Sequence, residues 1–243
     1  MLELYHLPNS ICSQKVRLCL AEKGLEWVGH VVRLGKFEHL TPKYLALNPN
    51  GVVPTLVHDG RPVVESTVIC EYIDEIWPDT PLSAADAYGR AQMRAWLRFT
   101  DETPSMAVRI PSFNNVLLPS YRALPPEEFK AQLDRMSIRK SFFRRMGQDG
   151  FPPEDYADAL EQLAITVTRI AGAGGFLVGG ALSIADICLA PVVQRMEDLG
   201  LLSDPARLSV SRGTLDATLQ WLDLLRKRKS WGIAFQEDAY MKT

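Results

Sequence analysis

Apolar and polar positions alternate over Leu2-Glu3-Leu4-Tyr5, which predicts a short strand. A turn-prone His6-Leu7-Pro8-Asn9-Ser10 follows. Val16, Cys19 and Leu20 then recur at helical spacing within residues 15–23, so a helix is expected to start near Ser13 and to close at Gly24. The valine-rich stretch 27–33 predicts a second strand, and 42–47 a short helix behind Pro42. Runs 55–58 and 62–64 flank Asp59-Gly60, a pair that tolerates the positive φ of a tight primed turn, so they predict a hairpin. Residues 67–76 then read as a helix with Ser66 as N-cap and Trp77-Pro78 as its stop. The order is βαβαββα.

Beyond residue 78 the pattern changes. Pro78-Asp79-Thr80-Pro81-Leu82-Ser83 is a proline-bearing polar stretch, and helical periodicity then runs through 85–99, 156–170, 183–199 and 214–226 without a convincing strand. The expected fold class is therefore α/β plus all-α: a βαβαββα domain over 1–78, a linker over 79–85, and a helical domain over 86–243. Ser183-Ile184-Ala185-Asp186 has the spacing of a capping box, a structural role for both polar residues. Residues 125–153 carry Arg135, Arg139, Lys140, Arg144 and Arg145 and read as a helical insertion with a solvated basic face.

Composition narrows the function classes. With 243 residues, 47% of them hydrophobic and 23% charged, the chain can bury a core without staples. A net charge of -2 writes in no general attraction to nucleic acid or to an anionic membrane. Glu3 and His6 stand where a secretory signal would need a basic start and an apolar block, and residues 174–193 contain Asp186, Pro191 and two Gly-Gly pairs, which argues against a membrane span. A cytoplasmic location is expected. Four cysteines without a CxxC pair suggest neither a disulfide scaffold nor a metal site. Cys19, Cys70 and Cys188 read as small buried hydrophobes, whereas Cys12 falls in a segment with chemical potential.

Two segments carry that potential. In Asn48-Pro49-Asn50-Gly51-Val52-Val53-Pro54-Thr55-Leu56 a proline stands at the entry of a strand, where its missing amide breaks no ladder bond, and a cis Val53-Pro54 bond is expected. Such a strand entry can capture a peptide by its backbone. In Ser10-Ile11-Cys12-Ser13 the end of the first strand meets the head of the first helix, so backbone amides and the positive end of the helix dipole converge there. A thiolate would be stabilised at that point. A free thiol has a pKa of roughly 8.5, so a catalyst at neutral pH must lower it by ~1 to 2 units. A hydroxyl donor plus helix-end amides can supply ~1 to 3 kcal/mol.

These segments, together with Tyr5-His6-Leu7-Pro8-Asn9-Ser10, Glu38-His39-Leu40-Thr41-Pro42-Lys43-Tyr44-Leu45, Glu65-Ser66-Thr67 and Ser183 to Asp186, resemble the cytosolic glutathione transferases of the serine type over nearly the whole chain. The resemblance implies that the first domain is thioredoxin-like and that glutathione is the co-substrate, with no metal and no nucleotide. It implies that the Val53 backbone pairs with the cysteinyl part while Pro54 sets the geometry. It gives the γ-glutamyl ammonium to Glu65, its carboxylate to Ser66, and the glycyl end to His39 with Lys36. Ser10 best matches the hydroxyl that activates the sulfur, with Ser13, Asn9 and Cys12 as rivals; Cys12 would lean the enzyme toward mixed-disulfide exchange. The resemblance also implies a homodimer in which Asp101 reaches the glutathione amine across the interface.

Val64-Glu65-Ser66-Thr67-Val68-Ile69-Cys70-Glu71-Tyr72, Arg90-Ala91-Gln92-Met93-Arg94 and Gly150-Phe151-Pro152 are similar to one branch of the bacterial β-etherases. Those enzymes use the glutathione thiolate to cleave β-aryl ethers. The resemblance implies a hydrophobic small-molecule electrophile, and Phe113, Tyr121, Phe142 and Phe143 are the candidate wall of its pocket.

Overall fold

The computed structural model of the protein describes residues 1–116 and 118–236. Strands β1 (Leu2–His6), β2 (Val28–Val31), β3 (Thr55–His58) and β4 (Arg61–Val64) form one sheet in the order β2-β1-β3-β4. β1 and β2 are parallel, and β3 runs antiparallel to both β1 and β4. The hairpin turns on Asp59 (φ 48°) and Gly60 (φ 78°), the two positive angles that an Asp-Gly turn accommodates.

Helix α1 (Ile11–Glu22) starts two residues before the expected position. Ser10 is its N-cap, with Oγ accepting from the Ser13 amide at 3.4 Å. Ile11 and Cys12 are only half-buried, so they add nothing to the apolar period from which the start was read. At the other end Lys23 is the C-cap and Gly24, at φ 64°, reverses the chain. The amides of Gly24 and Leu25 return to the carbonyls of Ala21 and Leu20 at 3.1 and 3.0 Å, a Schellman closure.

Helix α2 (Pro42–Leu45) is a single turn capped by Thr41, and α3 (Ser66–Ile76) follows β4. Ser66 is not the N-cap of α3. Glu65 holds that place at φ 70°, because the sharp turn out of β4 is completed there and Ser66 is already helical.

The second domain is helical: α4 (Ala87–Glu102), α5 (Pro104–Ala107), α6 (Arg109–Val116), α7 (Leu118–Arg122), α8 (Pro126–Arg135), α9 (Lys140–Met146), α10 (Pro153–Ala173), α11 (Ile184–Asp198), α12 (Arg212–Arg226) and α13 (Lys229–Ala234). Its β pairing among the described residues is an isolated bridge between Val178 and Ala181. The capping box at Ser183 is present, and Asp186, fully buried, also accepts from the Leu177 amide at 2.9 Å and from Trp221 Nε1 at 3.0 Å. That one carboxylate ties α11 to α12 and to the preceding loop.

A continuous apolar core joins both domains, running from Leu4, Leu20, Leu56 and Ile69 to Met93, Leu163, Ile187 and Trp221. Helix α1 lies inside it, packed against α3 on one side and α11 and α13 on the other. Residues 13 to 20 are therefore buried without exception, including Lys15 and Arg17. Arg17 is satisfied by the carbonyls of Ala234 at 2.8 Å and Pro8 at 2.6 Å, as a buried guanidinium must be. Helices α8 and α9 build a second cluster around Tyr121, Phe129, Leu133, Met136, Phe143 and Met146, anchored on Leu40 of the first domain. The segment 125–153 is thus a helical insertion, but its basic face is not wholly solvated. Arg145 pairs outward with Glu154 and Asp155, whereas Arg139 turns inward to line a cavity.

Candidate active site

The cavity lies between the domains and measures about 960 Å³ with its open mouth included. One wall comes from the first domain: Leu7, Asn9, Ser10, Ile11 and Cys12 at the head of α1, then His39 and the loop Asn50 to Val53. The facing wall comes from the helical domain and includes Arg109, Phe113, Tyr121, Met136, Arg139 and Phe143.

The loop before β3 is held from behind. Asn48, fully buried, donates through Nδ2 to the Val52 carbonyl at 2.9 Å and to Thr55 Oγ1 at 3.1 Å, and its Oδ1 accepts from the Asn50 amide at 3.0 Å. Tyr44 OH donates to the same Val52 carbonyl at 2.6 Å. The Val53-Pro54 bond is cis, as expected; Val53 lines the cavity and Pro54 does not.

At the head of α1 the expected rivals separate. Ser10, Asn9 and Cys12 line the cavity. Ser13 does not; it is fully buried, with Oγ accepting from the Leu7 amide at 3.3 Å. The Ser10 hydroxyl accepts from the helix, which leaves its own proton available to a ligand. Arg109 Nη2 lies 4.0 Å from Cys12 Sγ. Burial opposes ionisation of the Cys12 thiol, but the charges of Lys15, Arg109 and Arg139 outweigh it and lower the pKa.

His39 lines the cavity, buried, and its Nδ1 has no hydrogen-bond partner among the described residues. Such an orphan suits a ligand atom. Burial first, then Arg135 and Arg139, pull the imidazole pKa down to about 4, so it is neutral at pH 7. Lys36 is exposed and lies outside the cavity lining. Glu65 is not among the lining residues, but its Oε1 accepts from Nδ2 of Asn50, which is, at 3.4 Å. A non-glycine residue at positive φ costs of order 1–3 kcal/mol and is held only where its surroundings impose it. The same turn makes Glu65 the N-cap and Ser66 the first residue of α3; Ser66 is buried and not among the lining residues.

Asp101 is not among the lining residues. Its carboxylate pairs with Lys15 Nζ at 2.9 Å and accepts from Thr67 Oγ1 at 2.7 Å. Of the four aromatic candidates, Phe113, Tyr121 and Phe143 line the cavity. Phe142 stands one layer back, edge-on to Phe113 and Phe143 with centroids at 5.4 and 5.5 Å.

Sequence reasoning missed Arg109, Arg139 and Arg195. The basic run around 139 was visible, but helical period alone cannot tell which of its arginines faces inward. The insertion is fastened to the first domain by Ser137 Oγ, which donates to the carbonyls of Pro49 at 3.1 Å and Asn50 at 2.9 Å, and by Arg135, which donates to the Leu40 carbonyl at 2.7 Å. Those contacts carry Arg139 over the cavity. Among the described residues no helix is long and apolar enough to cross a membrane, and no cluster of three or more His, Cys, Asp or Glu could hold a metal ion.

Residues 9–76 match the family described as glutathione S-transferase, N-terminal domain, and residues 154–224 match its C-terminal domain. Protein LigF of Sphingobium sp. (strain NBRC 103272 / SYK-6) is 32% identical over 194 residues, 77% of this chain and 76% of that protein. The crystal structure of beta-etherase LigF from the same strain superposes with a TM-score of 0.85 at 29% identity, covering 97% of this chain and 99% of LigF. Glutathione S-transferase 1 of Dianthus caryophyllus is 30% identical over 222 residues, 90% of this chain and 88% of that protein. A Sulfitobacter glutathione transferase homologue solved with bound glutathione shares the fold, with a TM-score of 0.66 at 22% identity over 99% of each chain. With a sheet domain and a helical domain enclosing one cavity, two matching domain families and relatives that cover most of its length, the chain belongs to the glutathione S-transferase family.

Proposed function

We propose that the protein binds glutathione along the first-domain wall, activates its thiol at Ser10 and transfers the sulfur to an aromatic electrophile, with β-aryl ethers as a substrate class. The observation that carries this reading is the composition of this cavity. Ser10 and Val53 stand on one wall, and Phe113, Tyr121 and Phe143 on the other.

In this reading the tripeptide lies extended beside Val53 and Pro54. Its γ-glutamyl ammonium meets Glu65, its α-carboxylate the Ser66 amide at the start of α3, and its glycyl end the free Nδ1 of His39. The sulfur then falls at the head of α1. There the Ser10 proton and the helix-end amides favour the thiolate over the thiol. The thiolate attacks the carbon that bears the phenoxy group, a carbon–sulfur bond forms, and the carbon–oxygen bond breaks with its electron pair leaving on phenoxide, which takes a proton from water. The chemistry demands only a thiolate in line with that carbon beside an apolar wall. The likeness to beta-etherase LigF supports the ether class. The protein acts as a homodimer.

Titration calorimetry with glutathione, followed by turnover of both stereoisomers of a β-aryl ether model dimer, a chloroarene and an organic hydroperoxide, tests the reading. Phenol release from one ether isomer is expected. No glutathione binding sinks the proposal, and binding without thiol consumption from any electrophile makes the protein a noncatalytic glutathione binder. A second reading rests on Cys12, whose thiol faces the cavity beside Arg109. It makes the protein a thiol-disulfide oxidoreductase, and activity that survives Cys12→Ser excludes it.

A further inference from the structure

We propose that Arg109 and Arg139 form an anion subsite on the electrophile side of the cavity, so that the aromatic substrate carries a carboxylate. The inference rests on the transferase reading and names the substrate class of that same site. Cations around the cavity fall into two groups. Lys15 is paired with Asp101, Arg195 donates to the Asn9 carbonyl at 2.6 Å and stands 3.9 Å from Asp198, and Arg135 is satisfied by the Leu40 carbonyl. Arg109 and Arg139 differ. Among the described residues neither forms an ion pair, although the Glu65 carboxylate acts on Arg139 electrostatically, and the hydrogen bonds of Arg109 run to two sulfurs, Met106 Sδ and Cys12 Sγ.

Two like charges against an apolar wall are unfavourable without a counter-ion, and the same low polarity strengthens their hold on an anion. Burial, and then the charge of Arg109, pull the Arg139 pKa down to about 10. It remains a cation at neutral pH, and an anion between the two guanidinium groups would relieve both.

Placement decides which anion. Arg109 stands four residues before Phe113, which shares α6 with it, and Arg139 is the N-cap residue four before Phe143 of α9. Residues spaced by four share a face, so each aromatic wall residue has a guanidinium one turn away. The rings of Phe113 and Phe143 meet with centroids at 5.6 Å. Paired rings with paired cations beside them match an aromatic ring bearing a carboxylate. The carboxylates of glutathione have other partners in the proposed pose, the Ser66 amide and His39, although His39 also feels the charge of Arg139.

The test compares 4-chloro-3-nitrobenzoate with its neutral isostere 4-chloro-3-nitrobenzamide at saturating glutathione, each rate divided by the uncatalysed rate with glutathione. Calorimetric binding of 4-nitrobenzoate and 4-nitrobenzamide gives a second readout that needs no turnover. The native protein is expected to favour the benzoate in kcat/KM, and Arg109→Gln and Arg139→Gln each to lower the benzoate-to-amide ratio about tenfold or more. The amide measured in the same variant is the internal reference for folding. No preference in the native protein overturns the subsite, as does a raised glutathione KM with an unchanged ratio, which would assign the arginines to the tripeptide. Selective benzoate binding without any turnover would leave the subsite standing and remove the transferase reading.

Discussion

Lys15 of α1 reaches Asp101 of α4 with Nζ 2.9 Å from Oδ1, its own side chain fully buried while that of Asp101 is 43% exposed. Ser105 Oγ accepts a second bond from the ammonium at 3.2 Å. Burial disfavours the Lys15 charge, yet Cys12 and Asp101 together raise its pKa. The pair joins the first helix of the first domain to the first helix of the other.

Asp101→Ala should therefore act on stability before it acts on the ligand. Breaking a fully buried pair costs 3–5 kcal/mol; with Asp101 partly solvated and Ser105 still accepting, about 2 kcal/mol is expected. The urea midpoint measures it. A normal midpoint with a raised glutathione KM in a verified dimer would instead give Asp101 the role across the interface.

Ser10 has two roles that one substitution would confuse. Ser10→Ala removes the N-cap of α1, worth about 0.5–2 kcal/mol, as well as the proposed sulfur donor, whereas Ser10→Gly costs the cap only a few tenths. Both variants should lose about ten- to hundredfold in kcat with little change in glutathione affinity, because the lost bond is to the thiolate. If Ser10→Gly turns over like the native enzyme, the sulfur contact belongs to Cys12 or Asn9.

His39→Ala should raise the glutathione KM about tenfold and leave kcat near its native value, the signature of a contact held equally in ground and transition states. With a pKa of about 4 the imidazole is neutral throughout the assay range, so glutathione affinity should show no inflection between pH 6 and 8 from this residue. An inflection that disappears in His39→Ala would contradict a neutral donor.

Acid should weaken the fold before the carboxylates titrate. Burial, and then Arg17 and His30, lower the His6 pKa to about 3, and His39 lies at about 4. Both folded values are below the unfolded value of about 6.5, so between these limits the unfolded chain binds more protons and stability rises with pH. The contribution is complete above pH ~6.5 and is lost as pH falls toward 4 and then 3; at ~1.4 kcal/mol per unit the two shifts together set an upper limit of about 8 kcal/mol. Urea midpoints at descending pH measure the slope. His6→Asn, which keeps an acceptor for Arg17, should flatten it; an unchanged slope would remove His6 as its source.

Local physics made much of the fold legible. Alternation at Leu2 to Tyr5, the Asp59-Gly60 turn, the strand Thr55 to His58 and the helical periods of the second half each report interactions between near neighbours. Ends were read less well. The start of α1 slipped by two residues because Ile11 and Cys12 face a cleft that only the second domain creates, and Ser66 lost its cap role to Glu65 because a positive φ in a non-glycine residue leaves no mark in a hydrophobic pattern.

The candidate site divides along the same line. Ser10, Val53, Pro54 and Glu65-Ser66 belong to short segments whose spacing is set within one domain, so the amino-acid sequence by itself determined the half of the candidate site for which glutathione binding is proposed. The other half was decided by packing. Whether Phe142 or Phe143 faces the cavity, and whether Arg139 points inward or to water, depends on how the insertion sits on Leu40 and on the carbonyls of Pro49 and Asn50. Lys15 and Asp101 stand 86 residues apart and meet only because α1 is buried between two domains. Periodicity records which residues share a face, but the partner of that face, and therefore the electrostatics of the cavity, exists only after the chain has closed on itself.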